Sequence, residues 1–337
     1  MVSLHFASLS QLVRYIYCRI LTSMKKTTLR RVVLIQLLVF INLLGAGGCT
    51  SGKQTENREK LTIGVVSYGE GAVSLQRYER FKDYMATQTG AVVELEPAYN
   101  ELQAIEQIQR KKWDIVFAPP GLAAIAISKA MYAPLFSLEG LSNRQRSLLI
   151  VRENDPIKKI SDLANKTVAL GEIGSAAGYY VPLYDLYGLT LAQIRFASTP
   201  KTVLQWISDK SVDAGAMSEN DFNLYHQSFP QAKFRVLHTS RWIPIGLVLV
   251  GQTVDRNRQA EIEKAMKDAP GDIVADAGYV PTAKAPNYNQ FIEIVEKVRP
   301  LENQSKQKPA VLLIRKSAVT DTTTGTQNDN SGSRTQQ

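Results

Sequence analysis

The sequence carries few of the residues that metal, redox and covalent chemistry require. Its 337 residues include two cysteines, Cys18 and Cys49, and three histidines, His5, His226 and His238. No HExxH, CxxC or GxxxxGK[ST] pattern occurs, so zinc-protease, thioredoxin-like and P-loop chemistry are excluded, and neither a metal nor a cofactor is expected. The stretch GEIGSAAG has glycines at 171, 174 and 178, whereas a dinucleotide fingerprint starting there needs them at 171, 173 and 176. A Ser-His-Asp triad would have to recruit Ser175 with His226 or His238, and neither spacing nor context favours it. No apolar run reaches the roughly 20 residues that cross a bilayer. With 44% hydrophobic and 21% charged residues, the chain is neither a polytopic membrane protein nor disordered along most of its length. It is long enough for one large domain or two of ordinary size.

Charge of one sign is missing from the N-terminus. Residues 1–48 contain Arg14, Arg19, Lys25, Lys26, Arg30 and Arg31 but no Asp or Glu. The whole chain has 40 basic and 31 acidic side chains, so setting these six aside leaves 40 − 6 = 34 basic against 31 acidic. The net charge of +9 therefore belongs mainly to this segment and does not indicate nucleic-acid binding. From Met24 a basic stretch is followed by the 13-residue apolar run Val32–Leu44 and by small residues up to Cys49, the three-part layout of a secretory signal. Met24 is the expected true start, with residues 1–23 a gene-model extension. The run Gly45–Gly48 before Cys49 resembles a bacterial lipoprotein cleavage site, although Ala46 stands where an aliphatic residue is usual. Cys49 reads either as the acylated first residue of an exported, periplasmic or extracytoplasmic, membrane-anchored protein or as an unpaired thiol in a linker. Acylation would leave no disulfide to stabilise the fold.

Beyond the polar linker at 49–60, short β-branched runs alternate with helical periods. Expected strands are Leu61–Val66, Val92–Leu95, Asp114–Ala118, Ser147–Val151, Thr167–Leu170, Arg195–Ala197, Val212–Met217, Phe234–Leu237 and Leu247–Val250. In Ser74–Gln88 the residues Leu75, Tyr78, Phe81 and Met85 mark one helical face, and Gly90 stops it. Asn100 with Gln103 reads as a capping box before Leu102, Ile105 and Ile108, Pro200 opens a helix, and Ser218 begins another. This alternation implies an α/β fold with parallel sheets, whose ligands sit at the carboxyl ends of strands. The polar break Arg152–Ile160 divides two α/β series, and residues 303–337 read as a disordered tail.

Four segments in order, DIVFAPPGLAAIA at 114–126, SLLIVRENDPIKKISDLANKTVALGEIGSAAGYYVP at 147–182, VDAGAM at 212–217 and TSRWIPIGLVLV at 239–250, resemble the phosphate-, phosphite- and phosphonate-binding solute receptors of ABC importers. The resemblance covers about residues 61–270. It implies a type II periplasmic-binding-protein fold: two α/β lobes joined by two crossover strands, with a ligand cleft between them. The divisions would be 61–150 for the first part of lobe 1, 151–240 for lobe 2 and 241–302 for the return to lobe 1. It also implies a monomeric binder, not an enzyme, whose partners are a small-molecule ligand, an oxyanion above all, and an ABC permease.

In the family the stretch matching GEIGSAAGYYVP usually has Ser-Thr-Ser before the glycine, and those hydroxyls and N–H groups hold phosphonate oxygens. Here Ser175 remains while Ala176 and Ala177 replace the other two, so Ser175, Ala176, Ala177 and Gly178 are the implied anion site, with Tyr179 in the turn that follows. A plain glycine-rich strand-to-helix turn is the other reading of the same residues. Pro200 and Lys201 stand where a histidine is usual, Ile245-Gly246 where an acidic pair is usual, and Ala123 where an aromatic is usual. These changes argue against an aminophosphonate, whose desolvated ammonium needs carboxylates. Lys201, Arg241 and Glu219 complete the ligand-binding candidates, each with an alternative as a solvated cation or a helix-cap participant. Tyr68, in the loop SYGEG, reads as a wall of the cleft or as a surface tyrosine. Two functional readings follow, a transport receptor and a ligand-sensing subunit presented to a membrane partner; a neighbouring permease and ATPase gene pair would favour the first. A hydrolase on the same scaffold is a third, opposed by the missing catalytic groups.

The anchor is directly testable. Membrane fractionation of a Cys49→Ser variant is expected to move the protein to the soluble fraction, and unchanged retention would remove Cys49 as the attachment point.

Overall fold

A computed structural model of the chain describes residues 59–66, 71–139 and 144–314. The chain divides into Met1–Asn57 and Arg58–Gln337, and the described residues all belong to the second unit. Tyr68, Cys49 and the signal-like segment lie outside the described residues.

The first α/β series comprises β1 (Lys60–Val66), α1 (Gly71–Thr89), β2 (Val92–Ala98), α2 (Glu101–Gln109), β3 (Ile115–Ala118), α3 (Pro120–Ala130) and β4 (Ala133–Leu138). The second comprises β5 (Arg144–Arg152), β6 (Thr167–Leu170), the turn Ala176–Tyr180 continued by α4 (Val181–Asp185), β7 (Thr190–Leu191), β8 (Gln193–Phe196), α5 (Pro200–Ser208), β9 (Ala214–Ser218), α6 (Glu219–Tyr225) and β10 (Phe234–Pro244). After β11 (Leu247–Val250) come α7 (Arg256–Lys267), α8 (Gly271–Ala277), β12 (Tyr279–Val280), α9 (Asn289–Val298), α10 (Glu302–Ser305) and β13 (Ala310–Val311).

Two main sheets result, one in the order β12-β4-β11-β3-β1-β2 and one in the order β10-β5-β9-β6-β8. Each contains the parallel triplet that strand-helix alternation predicts: β2-β1-β3 in one and β8-β6-β9 in the other. The sheets are nevertheless mixed, correcting the expectation of purely parallel ones. β11 runs antiparallel to β3, and β5 antiparallel to β9. The reason is directional. β5 and β11 enter their sheets from the side where the parallel strands end, so they must run the opposite way. β10 pairs with β5 and leads through Ile245-Gly246 into β11, giving two strands that connect the sheets.

The same device aligns both triplets. Thr62 N–H donates to the Asp114 carboxylate and Asp114 N–H to the Thr62 carbonyl, both at 2.8 Å. Thr167 and Asp213 repeat the pair in the second sheet, again at 2.8 Å in both directions. Asp114 and Asp213 therefore lie just before their strands, clamping the neighbouring one. This internal correspondence has no visible sequence repeat behind it.

Apolar periodicity is realised as burial. Phe81 and Met85 of α1 are fully buried, with the Phe81 ring 5.4 Å from Phe117 and 5.8 Å from Tyr279. A β-carbon at Gly64 would fall 2.0 Å from the Trp113 ring, so only glycine lets that fully buried indole lie on β1. Leu102 departs from the expected face of α2 and is exposed, whereas Ala104 and Ile108 fill the core. The capping box is likewise modified: Gln103 N–H donates to Asn100 Oδ1 at 2.8 Å, but the Gln103 side chain receives the N–H of Tyr99.

Residues 303–312, expected to belong to a disordered tail, are instead built into the fold. Ser305 and Leu312 are fully buried, and β13 pairs antiparallel with β7. Seen from sequence alone, Glu302–Val311 lacks the length and periodicity of an independent element; its order comes from an edge supplied by residues 188–191. Among the described residues no helix is long and apolar enough to cross a membrane, and no group of three or more His, Cys, Asp or Glu side chains could hold a metal ion.

Phe81→Ala should remove edge-to-face contacts as well as buried area. A loss of about 3–5 kcal/mol is expected, read as a lowered urea midpoint. A change below about 1 kcal/mol would mean this cluster is not central to the core.

Candidate functional site

Parallel β6, β8 and β9 end on the same side of their sheet, so the loops that follow them are neighbours at one boundary. The loop after β6 contains Ser175, the one after β8 leads through Pro200 to Lys201, and the one after β9 carries Ser218 and Glu219. Three of the sequence candidates are thereby brought to one end of one sheet by topology.

At Ser175 the chain turns into a helix. Its Oγ accepts the Gly178 N–H at 3.0 Å, while its carbonyl receives the N–H groups of Tyr179 and Tyr180 at 3.1 and 3.0 Å. Gly171 N–H donates to the Gly178 carbonyl at 2.9 Å, closing the loop on itself. The first amides, at Ala176 and Ala177, have no acceptor within such a turn, and the Ser175 hydroxyl keeps its own proton to donate. Ala176 and Ala177 are buried, Gly178 is buried, and Tyr179 and Tyr180 are sealed in the core. Tyr179 is thus a core residue; its ring lies 5.2 Å from Tyr180 and its hydroxyl 3.4 Å from Ser305 Oγ. Burial pushes the Tyr179 phenol up to about 12, with the Ser305 hydrogen bond opposing the shift.

Sequence reasoning passed over the residues that hold this turn from behind. The Ser147 hydroxyl donates to the Ala177 carbonyl at 2.6 Å, and Ser147 N–H donates to Ser240 Oγ at 2.9 Å. Ser147 lies on β5 and Ser240 on β10, so the turn is tied to both strands that link the sheets. Only the placement of serines at the ends of two apolar runs hinted at this.

Lys201 is exposed in the first turn of α5, which Thr199 caps through a 3.1 Å bond from Thr202 N–H. A cation at that end opposes the helix dipole, a cost that a nearby anion offsets. Glu219 is half-buried at the start of α6, but the cap is completed by other groups. Ser218 Oγ accepts Asp221 N–H at 3.0 Å and donates to the Asp221 carboxylate at 2.6 Å. The capping role considered for Glu219 therefore belongs to Asp221, because the N3 residue, three after the cap, is the one whose side chain reaches back. Burial raises the Asp221 carboxyl, and the Ser218 hydroxyl opposes that shift.

Arg241 is exposed on β10, and its guanidinium stands 4.9 Å over the Tyr184 ring of α4. The neighbouring His238 Nε2 lies 3.2 Å from the Asp185 carboxylate. Burial raises Asp185, with His238 and then Arg241 opposing. This cluster engages Arg241 with the side chains of α4. His226 is occupied by the Phe222 carbonyl at 2.8 Å and stacks on that ring, so both histidines of the body serve local packing.

Across the boundary, α3 of the first sheet begins with Pro120, Gly121, Leu122 and Ala123, all buried. Gly121 approaches so closely that a β-carbon there would fall 1.8 Å from the Gly174 carbonyl oxygen and 3.1 Å from Ala176 N. Glu101, at the start of α2, is buried with its stem against Gly174. Gly174 has φ +113°, a region only glycine occupies freely.

A comparison with curated protein sequences gives no match. The sequence profile described as ABC transporter, phosphonate, periplasmic substrate-binding protein matches residues 63–294. Among solved structures, one from Xanthomonas citri, determined with chloride bound and also with ATP bound, is 20% identical with a TM-score of 0.61, covering 72% of this chain and, in the chloride form, 99% of that one. A binding protein component of an ABC phosphonate transporter from Pseudomonas aeruginosa is 18% identical with a TM-score of 0.55, covering 74% of this chain and 90% of that one. PhnD1 from Prochlorococcus marinus, in complex with methylphosphonate, is 16% identical with a TM-score of 0.54, covering 71% of this chain and 98% of that one. These structures share the type II binding-protein fold expected from the four sequence segments.

Tyr179 predicts the alkaline behaviour of the turn. Its folded-state value of about 12 exceeds the ordinary 10, so its contribution is complete below pH 10 and is lost as pH climbs toward 12. Denaturation from pH 8 to 12 should show Tyr179→Phe losing about 2 kcal/mol less than the parent chain over the top two pH units. Parallel curves would show that the phenol is not buried in solution.

Proposed function

The chain belongs to the periplasmic substrate-binding protein family of phosphonate ABC transporters, and from that premise we propose that it captures a small oxyanion at the Ser175 turn and presents it to an ABC permease. The family is a substrate-binding transport component and not an enzyme. The observation that carries the ligand reading is the convergence of the loops after β6, β8 and β9, which puts Ser175, Lys201 and Glu219 at one sheet end opposite the start of α3.

The chemistry follows from the groups present. The Ser175 hydroxyl and the leading amides of the turn supply neutral donors, Lys201 supplies charge, and the helix dipoles of the turn and of α5 favour an anion. Alanines at 176 and 177 leave fewer hydroxyl donors, so affinity rests on backbone groups. Isoleucine and glycine at 245 and 246, where the family has acids, leave a ligand ammonium without its usual partners, which favours oxyanions lacking an amine. The family resemblance implies hinge closure on a ligand held between two halves, one built around β1–β4 and β11–β12 and the other around β5, β6 and β8–β10, so that the boundaries expected at 150 and 240 move to the loops before β5 and after β10.

Attachment through an acylated Cys49 completes the reading. The nine residues Thr50–Arg58 would serve as the tether at the membrane, since Glu59 and Lys60 are already held by β2. Fully extended, a segment of that length would span roughly 30 Å, which would let the body reorient over a permease.

A thermal-shift screen of the purified chain against phosphate, phosphite, methylphosphonate, aminoethylphosphonate and sulfate tests the proposal. A bound oxyanion at a hundredfold excess over Kd adds about 2.7 kcal/mol of apparent stability. Ser175→Ala and Lys201→Ala should shrink the ligand-dependent shift, whatever their effect on the ligand-free melting point. A uniform absence of shifts would overturn the oxyanion reading.

A further inference from the structure

Small residues line both sides of the boundary facing Ser175, and the two backbones touch there. Gly121 of α3 leaves no space for a side chain against the Gly174 carbonyl, and a β-carbon on Gly174 would in turn fall 2.5 Å from the Glu101 Cβ and 3.3 Å from Ile105 Cδ1. A β-carbon on Gly121 would also lie 3.1 Å from Ala176 N, so a ligand oxygen approaching that amide from the side of α3 would meet the Gly121 backbone.

A second set of contacts bridges the same two halves at α9. Glu296 accepts a hydrogen bond from Ser128 Oγ at 3.0 Å and pairs with Lys129, both on α3. Its neighbour Lys297 stands 4.8 Å over the Tyr184 ring and 4.8 Å over the Tyr187 ring, in the segment that follows the Ser175 turn. Adjacent side chains of one helix thus grip opposite halves. Phe291, Ile294, Val295 and Val298 are buried in the apolar cluster that runs from α3 through Ile173–Val181. The Tyr288 hydroxyl bonds the Ile245 carbonyl between β10 and β11, and β13 is fastened to β7. Gly188 N–H donates to the Leu312 carbonyl at 2.7 Å, and Leu312 N–H to the Leu189 carbonyl at 2.9 Å.

We propose that these contacts make the closed arrangement the resting state of this protein, with α9 to β13 acting as a clasp, so that a ligand at the Ser175 turn competes with the Gly121–Gly174 contact and does not induce closure. The ligand clause rests on the oxyanion reading above; the clasp and the resting state do not. In an ordinary hinged receptor the ligand adds the contacts that closure needs. Here the protein supplies them itself, and observed affinity falls by the fraction of time the halves are apart.

Spin labels at Lys112→Cys and Gln205→Cys, exposed positions on the two halves, report the separation in a chain whose Cys18 and Cys49 are serine. The unsupplemented protein is expected to give one narrow distance distribution, unshortened by 10 mM phosphate or methylphosphonate. Gly121→Leu should lengthen and broaden it, and should raise affinity for whichever probe binds by about tenfold if the open form is populated one-tenth of the time in the parent chain. Should that variant fail to fold, the double change Glu296→Ala with Lys297→Ala, away from the seam, provides the same distance readout. A parent chain that is already broad and contracts on adding either probe overturns the proposal, as does an unchanged distance in a folded variant. Lengthened distances with no probe bound by any form would uphold the clasp and resting state while rejecting the oxyanion reading.

Discussion

The direction of the strands governs the molecule. In each sheet a parallel triplet ends at the same boundary, and because a parallel connection passes through a helix, each triplet also delivers helix N-termini there. α2 and α3 begin on one side, and the Ser175 turn, α5 and α6 begin on the other. Both strands that connect the sheets must cross that boundary, which is why β5 and β11 run against the triplets they join. The matching Thr62–Asp114 and Thr167–Asp213 clamps at the opposite ends hold each triplet in register. Chemistry capable of meeting an anion is therefore concentrated at the boundary before any single side chain is considered.

What the boundary does depends on side-chain volume. Glycine at 121 and 174 lets backbone meet backbone there, since a β-carbon on Gly121 would fall 1.8 Å from the Gly174 carbonyl oxygen. Burial adds to this. Tyr179 and Tyr180 point into the core, where Tyr180 is pushed upward by desolvation, so the aromatic pair next to the turn stiffens it without facing a solute. Ser147 and Ser240 tie the same turn to the connecting strands. The Ser147 hydroxyl is the group that reaches the turn, and Ser240 holds Ser147 in turn.

The C-terminal segment changes the mechanical picture. A two-sheet receptor joined only by β5 and β10 could bend at those strands. α9 adds a third connection, with charge on one lobe and cation–aromatic contact on the other, over a shared apolar face. Exposed ion pairs of this kind contribute little individually. Their value here is geometric, since Glu296 and Lys297 orient a helix whose buried side chains supply the larger hydrophobic contribution.

Much of this was legible in the sequence because it is local. Thr167–Leu170 and Leu247–Val250 read as strands with the observed ends, α1 announced itself through Phe81 and Met85, and the Asn100, Pro200 and Ser218 helix starts follow from helix-start chemistry within four residues. The four ordered motifs identified the family and placed Ser175, Lys201 and Glu219 after strands. Tertiary structure alone decided the remainder. β4 carries Pro134 and an exposed face and is a strand because β11 pairs with it; β13 is two residues long and exists because β7 offers an edge. Arg241 reads as a ligand cation or a solvated one until Tyr184 and Asp185 are seen beside it, and Gly121 is an ordinary helix-start glycine until Gly174 comes to face it. Hydrogen bonds and packing between residues far apart in the chain leave no local pattern, so a sequence determines which elements form and which ends of them carry chemistry, while the meeting of those ends is determined by the fold.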